Sequence, residues 1–255
     1  MRILTCLKQV RHPESLFSLE EGRALWPEPG LFKMSACDEF ALEEGLSLKD
    51  ALAGSEVWAV SLGPARAEAV LRRALGMGAD QAALLLGEDE PPLRPARVAA
   101  ALAEWARPKA FDLVLTGVMS EDAMQGTVGP MLAELLGLAC ATSVVEIAPA
   151  PEGGLRVLRE MEGGRRQALK INLPALLTVQ SSARAPRYPT LSALLKAKKA
   201  TIASHAPELN AGAGDRERLL GLAWPGRTRA GLTLEGDTAA KADRLYAILR
   251  ERALL

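Results

Sequence analysis

Short apolar runs of strand length alternate with amphipathic helical periods through the first half of the chain. In the helical periods, apolar side chains recur every three to four residues, which places them on one face of a helix. This β-α-β-α order predicts parallel strands joined by helical crossovers, with helices on both faces of the sheet. We therefore expect an α/β fold with a mainly parallel sheet. The predicted strands are 3–7, 57–62, 82–86 and 111–116.

The pattern changes after Cys140, because strand-like segments then follow one another with no helical period between them. Glycine-containing turns join several of these segments, which is typical of hairpin-connected strands. A β-hairpin is therefore predicted over residues 154–172. The strand-like segments are 142–147, 155–160, 166–171 and 175–180.

Two long stretches show neither the strand spacing nor the helix spacing of apolar residues. Residues 11–33 and 204–230 show no regular spacing of apolar side chains and are predicted to be irregular. Helical spacing returns over 239–252. We therefore expect one α/β domain over residues 1–200, followed by an extended C-terminal arm with a final helix over 201–255.

The composition excludes several classes of function. The chain has 31 basic and 31 acidic side chains, so no overall field draws it to nucleic acid or to an anionic membrane. No apolar run approaches the ~18 residues that a membrane-spanning helix needs. Three cysteines without metal-binding spacing fit a reducing compartment. The chain is therefore predicted to be a soluble cytoplasmic protein that binds no metal.

The loop at 117–129 is the strongest candidate for a ligand site. Ligands of open parallel sheets bind beyond the carboxyl ends of the strands, where the loops after Leu7 and at 61–64 also lie. The 117–129 loop leads into a helix whose unpaired amides favour a phosphate, and Gly126 and Thr127 suit its close approach. An ordinary βα loop that needs glycines for its turn would show the same pattern. The GxGxxG and GxxxxGK[ST] phosphate motifs are absent.

No catalytic set emerges from the sequence. Glu121 and Asp122 are adjacent acids in a loop, a pattern more typical of solvated side chains than of an acid–base pair. His12 and His205 lie in polar, irregular segments. Neither a Ser-His-Asp set nor a Cys-His pair can be placed together from the pattern. We therefore expect a protein that is not an enzyme.

Residues 186–199 form a candidate docking surface. Two prolines stiffen a turn around Tyr188, and Thr190 can cap the helix that follows. Three leucines of this helix fall on one stripe, and lysines occupy its last turn. An exposed leucine beside lysines would suit an acidic partner protein, whereas a surface helix whose leucines face its own core would show the same spacing. The leucines are Leu191, Leu194 and Leu195.

The stretch from Val157 to Thr178 carries a specific pattern. It has an aliphatic–x–basic start, an acid before two glycines, a Gln, an aliphatic residue, and a Pro before two aliphatic residues and Thr. This pattern resembles the signature of the electron transfer flavoprotein β-subunit family. The resemblance covers essentially the whole chain. Its other blocks are 2–10, 38–44, 59–64 continuing to 74–80, and a C-terminal arm with Pro225, Arg227 and the Ala230-Gly231 pair.

The resemblance implies a fold, a partner and two cofactors. The fold would be Rossmann-like, of the adenine nucleotide alpha hydrolase-like type, with the hairpin and the C-terminal arm added to it. The chain would form a heterodimer with a larger α subunit that holds most of the FAD, and would itself bind AMP in a structural role. Electrons would pass from primary dehydrogenases, such as the acyl-CoA dehydrogenases of fatty acid β-oxidation, to a quinone oxidoreductase.

The resemblance also assigns roles to residues by position. Glu160 matches an acid near the flavin, and Leu191 matches the partner-anchoring leucine of a recognition loop over 184–199 that includes Tyr188. Lys196 and Lys199 match lysines that are methylated in the family. The implied AMP contacts are Cys6, Ser35, Ala36, Cys37, Asp38, Leu62, Gly117, Asp122, Gln125, Gly126, Thr127 and Val128.

Two alternatives to this interpretation stay open. In a bifurcating-type β subunit a second FAD replaces AMP, and Gln125 with the 128–130 segment is reminiscent of that branch. A stand-alone adenine-nucleotide-binding regulator could share the α/β core without an α subunit. The irregular segment at 207–231 argues against the second alternative, because such arms usually wrap a partner.

Overall fold

The chain folds into two compact units. The first comprises Met1–Phe17 and Trp26–Leu220, and the second comprises Ser18–Leu25 and Gly221–Leu255. No helix within the described ranges is long and apolar enough to span a membrane. The computed structural model describes residues 1–26, 30–87, 94–181, 184–207, 220–224, 226 and 231–254.

The described residues form thirteen strands and six α-helices, of which β3, β4 and α6 belong to the second unit. The strands are β1 (Arg2–Cys6), β2 (Gln9–Arg11), β3 (Ser18–Glu20), β4 (Arg23–Leu25), β5 (Phe32–Met34), β6 (Glu56–Gly63), β7 (Gln81–Leu86), β8 (Leu113–Gly117), β9 (Ala139–Pro149), β10 (Leu155–Glu160), β11 (Arg166–Ile171), β12 (Ala175–Val179) and β13 (Ala203–His205). The helices are α1 (Ala36–Ala51), α2 (Glu68–Met77), α3 (Pro95–Ala106), α4 (Val128–Leu136), α5 (Leu191–Lys199) and α6 (Thr238–Glu251).

The main sheet has the strand order β11-β10-β9-β12-β8-β1-β6-β7-β13. Neighbouring strands pair in parallel throughout the part of the sheet formed by β9, β12, β8, β1, β6, β7 and β13. Strands β10 and β11 extend the sheet beyond β9 as an antiparallel hairpin. The chain leaves β1 towards β6 and β7, then crosses back to β8 on the other side of β1. The point where the strand order reverses therefore lies between β1 and β8, where open α/β sheets bind ligands. The predicted mainly parallel α/β fold and the predicted hairpin are confirmed.

Two apolar layers hold the helices onto the sheet. Alternate residues of a strand face opposite sides, so Ile3 packs on one face with α1 and α2, and Leu4 packs on the other with α3 and α4. Both side chains are fully buried. Burial of such a side chain contributes about 1.5–3 kcal/mol, and the strands of the central sheet supply many of them. This burial on both faces explains why the central strands read as continuous apolar runs.

The prediction that residues 11–33 and 204–230 are irregular is wrong in part. Residues 18–25 form the β3–β4 ribbon, and Phe32 begins β5, which pairs with β2. Glu21 and Gly22 both have positive φ, as the tight turn between β3 and β4 requires. Strand β13 pairs with the edge of β7. Strands of three residues are too short to show a period of two, so the sequence pattern misses them.

The second unit joins the β3–β4 ribbon to the C-terminal segment. The Leu222 amide donates to the Gly22 carbonyl at 2.8 Å. Helix α6 begins after Asp237, whose side chain accepts from the Ala240 amide at 2.8 Å, and it lies within one residue of the predicted 239–252. The expected family matches at Pro225, Arg227 and Ala230 lie outside the described residues.

Candidate functional site

At the switch point of the sheet, the carboxylate of Asp38 joins the ends of β1 and β8. Asp38, in the first turn of α1, accepts from the Lys8 amide after β1 at 2.7 Å and from the Gly117 amide at the end of β8 at 2.9 Å. Asp38 is only 7% exposed. A Cβ on Gly117 would lie 2.8 Å from the Cys37 Cβ, so this position requires glycine. The side chain of Asp38 therefore holds the start of α1 across the two strand ends.

Burial raises the pKa of Asp38 to about 7, and the hydrogen bonds from the Lys8 and Gly117 amides partly oppose that rise. The carboxyl group therefore changes charge near neutral pH, at the point where a ligand of this fold would bind. Burial likewise raises the pKa of the Cys6 thiol, which keeps it protonated beneath the same strand end.

Two helices begin at this edge with hydroxyl side chains at their N-caps. Ser35 precedes α1 and Thr127 precedes α4. Neither side chain makes a cap hydrogen bond to its helix, and among the described residues neither hydroxyl has a hydrogen-bond partner although both oxygens are buried. Buried polar atoms without partners are rare in folded proteins. Both hydroxyls are therefore suited to hold polar groups of a bound ligand.

The two acids of the 117–127 loop bind the neighbouring elements. The Glu121 carboxylate accepts from the Ala36 amide at 3.2 Å and pairs with Lys33 at 2.9 Å. The Asp122 carboxylate pairs with Lys8 at 2.8 Å. Burial raises the pKa of Asp122, but the charge and hydrogen bond of Lys8 outweigh it and lower the pKa overall. Both acids are exposed, as the sequence pattern predicts, and in addition each pairs with a lysine, Lys33 of β5 or Lys8 after β1.

The packing of α4 brings its first turn close to the sheet. A Cβ on Gly129 would lie 2.6 Å from Thr178 Cγ2 and 2.8 Å from Thr116 Oγ1. Gly126 and Met124 have positive φ, which turns the loop into the helix. The predicted nucleotide contacts at Ser35–Asp38, Gly117, Asp122 and 126–128 thus lie on segments around one strand edge. Leu62 lies near the end of β6 and is half-buried, and Gln125 is exposed.

These features fit a ligand with an anionic group. The first turn of α4 offers amides for an anion, the hydroxyls of Thr127 and Ser35 have no hydrogen-bond partner among the described residues, and no Cβ crowds the backbone at Gly117 and Gly129. The sequence patterns do not point to Lys8 and Lys33, which pair with the loop acids, and they do not show that Glu121 binds the start of α1. Their signal is weak, because isolated charges in loops have no periodicity.

The candidate docking surface lies on α5 and the turn before it. Tyr188 is 87% exposed, Leu191 is 75% exposed and Leu195 is 53% exposed. Leu194 turns inward to Gly76 of α2, so the alternative that the leucines face the protein's own core holds for Leu194 alone. Lys196 and Lys199 are exposed. The predicted cap is confirmed, since Thr190 Oγ1 accepts from the Ala193 amide at 3.2 Å.

The flavin-proximal candidate lies on the hairpin. Glu160 ends β10 and accepts from Gln180 Nε2, just after β12, at 3.0 Å. The side chain is exposed at the carboxyl edge of the sheet, at the far side from the switch point. Glu160 therefore does not contribute to the site around Asp38.

Comparison with known proteins assigns the family. A family model described as the electron transfer flavoprotein domain matches residues 29–210. The chain is 31% identical over 260 residues to the electron transfer flavoprotein subunit beta of Bacillus subtilis (strain 168), with 99% of each protein covered. It is 34% identical over 257 residues to the subunit beta of Homo sapiens, with 97% of this chain and 99% of the human protein covered. These matches and the parallel sheet define an electron-transfer flavoprotein domain. The chain belongs to the electron transfer flavoprotein β-subunit family.

Proposed function

We propose that the chain is the β subunit of a heterodimeric electron transfer flavoprotein, which carries electrons from primary dehydrogenases to a quinone oxidoreductase. Acyl-CoA dehydrogenases are the donors that we favour. The main support for this proposal is the exposed apolar surface formed by Tyr188, Leu191 and Leu195. A subunit that transfers electrons without catalysing a reaction of its own acts by contact with partner proteins, and such contact requires an exposed surface. Isolated exposed leucines are common, but three large apolar side chains on one short segment favour a docking role.

The switch-point edge would hold AMP in a structural role. The unpaired hydroxyls of Ser35 and Thr127 and the first turn of α4 support this assignment. The ion pairs of Glu121 and Asp122 would hold the 117–127 loop around the nucleotide. The twelve nucleotide contacts expected from the sequence remain the proposed set, with Lys8 and Lys33 added as residues that fix the loop.

The α subunit would hold most of the FAD, which supplies the redox chemistry when bound. The hairpin would face that cofactor through Glu160, whose exposed side chain makes one described hydrogen bond, to Gln180. Helix α6 would contact the α subunit, since none of its described side chains is buried. The chain itself would perform no chemical step and would orient the two redox partners. We place it in the cytoplasm.

The docking assignment is tested with the purified heterodimer. We expect Leu191→Ala to raise the KM for the heterodimer in reduction by an acyl-CoA dehydrogenase, with unchanged flavin content. Burial of one leucine contributes about 1.5–3 kcal/mol, so the loss is roughly tenfold to a hundredfold in affinity.

Leu135→Ala is the matched control. Leu135 is also an exposed leucine, at 43%, but it lies on α4, on the opposite face of the sheet from α5. It should leave the kinetics unchanged. Wild-type kinetics for Leu191→Ala, or an equal loss in both variants, would contradict docking through α5.

A further inference from the structure

Arg187 fastens the start of the docking segment, residues 184–199, to helix α1. Its backbone amide donates to Glu43 Oε2 at 2.9 Å, and its Nε and Nη2 donate to the same carboxylate at 2.9–3.1 Å. Nη2 also donates to Asp50 at 2.9 Å. The hydrogen bonds of Glu43 hold the pKa of Arg187 above its ordinary value. Because the Glu43 side chain is only 7% exposed, this forked contact is a strong one.

The neighbouring acid of α1 holds the segment a second time. Glu44 Oε2 accepts from Arg184 Nη1 at 3.0 Å, and the Glu44 side chain is 1% exposed. Buried carboxylates are costly unless they are paired. Two consecutive buried acids therefore mark α1 as the element that receives this segment, a role that apolar periodicity does not show.

Arg72 of α2 fastens the other end of the segment. Its Nη1 donates to the carbonyls of Ala197, Lys198 and Ala200 at 2.7, 2.8 and 3.2 Å, and its Nε donates to Glu68. The last carbonyls of a helix lack partners within the helix, so this guanidinium caps α5 and complements its dipole.

Among the described residues, the buried face of α5 is small. Ala197 is the one buried residue of the helix, and Leu194 is partly buried against the open side of Gly76. In the turn before the helix, Pro189 also lies near Gly76, and the Arg73 guanidinium lies over the Tyr188 ring. The side chains that face outward, Tyr188 and Leu191, directly follow Arg187 and the helix cap. An exposed helix of nine residues with so small a buried face is marginal without further contacts.

We propose that the Glu43–Arg187 pair and Arg72 are positioning groups that order the docking segment before a dehydrogenase binds. This inference rests on the docking role of α5 proposed above. Ordering a segment in advance lowers the entropy lost on association, so the two guanidiniums increase affinity for the partner without touching it. Glu43 is buried and cannot reach the partner. Its described hydrogen bonds are to Arg187 and, within α1, to the Ser47 hydroxyl at 3.3 Å, so an effect of its replacement on residues 184–199 passes through Arg187.

The test uses Glu43→Gln and Arg72→Gln in the purified heterodimer. The acyl-CoA dehydrogenase is one that reduces the wild-type heterodimer. We expect each variant to raise the KM for the heterodimer roughly fivefold to tenfold, with kcat near the wild-type value. Amides of residues 187–195 should exchange hydrogen faster. Arg187→Lys, which keeps the charge but loses the fork, should behave as Glu43→Gln does.

Lys49→Gln is the control, because Lys49 lies on α1 as Glu43 does but pairs with Asp80, between α2 and β7, at 2.6 Å. Lys49 does not contact residues 184–199 in any described hydrogen bond. It should change neither readout. The positioning role is overturned if Glu43→Gln and Arg72→Gln keep the wild-type KM while Leu191→Ala raises it, whether or not exchange is faster. If Leu191→Ala also leaves the KM unchanged, the docking role of α5 is refuted. In that case hydrogen exchange tests the ordering by itself, and unchanged exchange of the 187–195 amides in Glu43→Gln refutes it.

Discussion

At the residue scale, the carboxylate of Asp38 joins the ends of β1 and β8, and its charge depends on pH. The pKa of about 7 in the folded protein lies above the ordinary value of 3.8. Between those two values the folded state holds a proton that the unfolded state has lost. The contribution of Asp38 to stability is therefore fully present below about pH 4 and is lost as the pH rises through 7. Lys8, Asp122, Cys6 and Cys37 face this group.

Replacement of Asp38 should show this dependence. Asp38→Asn keeps one acceptor for the Lys8 and Gly117 amides and leaves the other amide unpaired, which costs about 1–3 kcal/mol at pH 5. The loss should be smaller at pH 8, where the wild-type carboxylate is ionised and bears the penalty of burial. Urea denaturation at both pH values measures the difference in unfolding free energy. A loss that is equal at both values, or larger at pH 8, would show that Asp38 does not titrate in this range.

Two adjacent leucines of α5 should behave in opposite ways. Leu195 is 53% exposed, whereas Leu194 contacts Gly76. We expect Leu195→Ala to change the unfolding free energy by less than ~0.5 kcal/mol, since it is a surface substitution. It should nevertheless raise the KM with an acyl-CoA dehydrogenase. Leu194→Ala should lower the melting temperature, and equal stability losses in the two variants would contradict the described orientation of α5.

At the element scale, α4 can begin at the sheet only because Gly129 has no side chain. A methyl group there would meet Thr178 Cγ2 at 2.6 Å and Thr116 Oγ1 at 2.8 Å. Gly129→Ala should therefore destabilise the protein by about 1–3 kcal/mol and speed nucleotide loss, because the first turn of α4 must shift. Gly231→Ala, with no described atom within 4 Å of its added Cβ, is the control. Thermal denaturation and nucleotide release should separate the two variants, and identical behaviour would mean that α4 tolerates the displacement.

The elements that the sequence predicts are those whose apolar faces have a period. The strands near 3–7, 57–62, 82–86 and 111–116 are confirmed as β1, β6, β7 and β8, because burial on both faces makes them continuous apolar runs. The three-residue strands are too short to carry a period. The buried acids Glu43 and Glu44 are also invisible to periodicity, because their partners lie about 140 residues away in the chain.

At the scale of the whole molecule, the sequence predicts a mainly parallel sheet but does not predict the order of its strands. The position of β12 between β8 and β9 follows from tertiary pairing, and no local signal encodes it. The candidate site is likewise only partly visible in the sequence. The position of the 117–129 loop before a helix predicts it as a ligand site. The contacts of Asp38 join residues 30 and 79 positions apart in the chain, and no local pattern predicts them.

Helix α6 provides a prediction about assembly. Leu245 and Tyr246 are 48% and 57% exposed, and no described residue of the helix is buried. We expect Leu245→Glu to reduce co-purification of the α subunit while leaving the circular dichroism of the isolated chain unchanged, because a charge would be buried at the interface. Ala239→Glu, at another exposed position of the same helix, tests whether any added charge has this effect. Full recovery of the α subunit with Leu245→Glu would exclude this face from the interface.

We propose above that this chain is an electron transfer flavoprotein β subunit with a structural AMP at the switch point. Purification of the native complex, followed by denaturation and identification of the released nucleotides, tests both parts. We expect a second, larger chain and, for each heterodimer, one FAD and one AMP. Two FAD molecules per heterodimer would place this chain among bifurcating-type β subunits. Purification as a monomer or homodimer without flavin would contradict both the subunit role and the structural AMP.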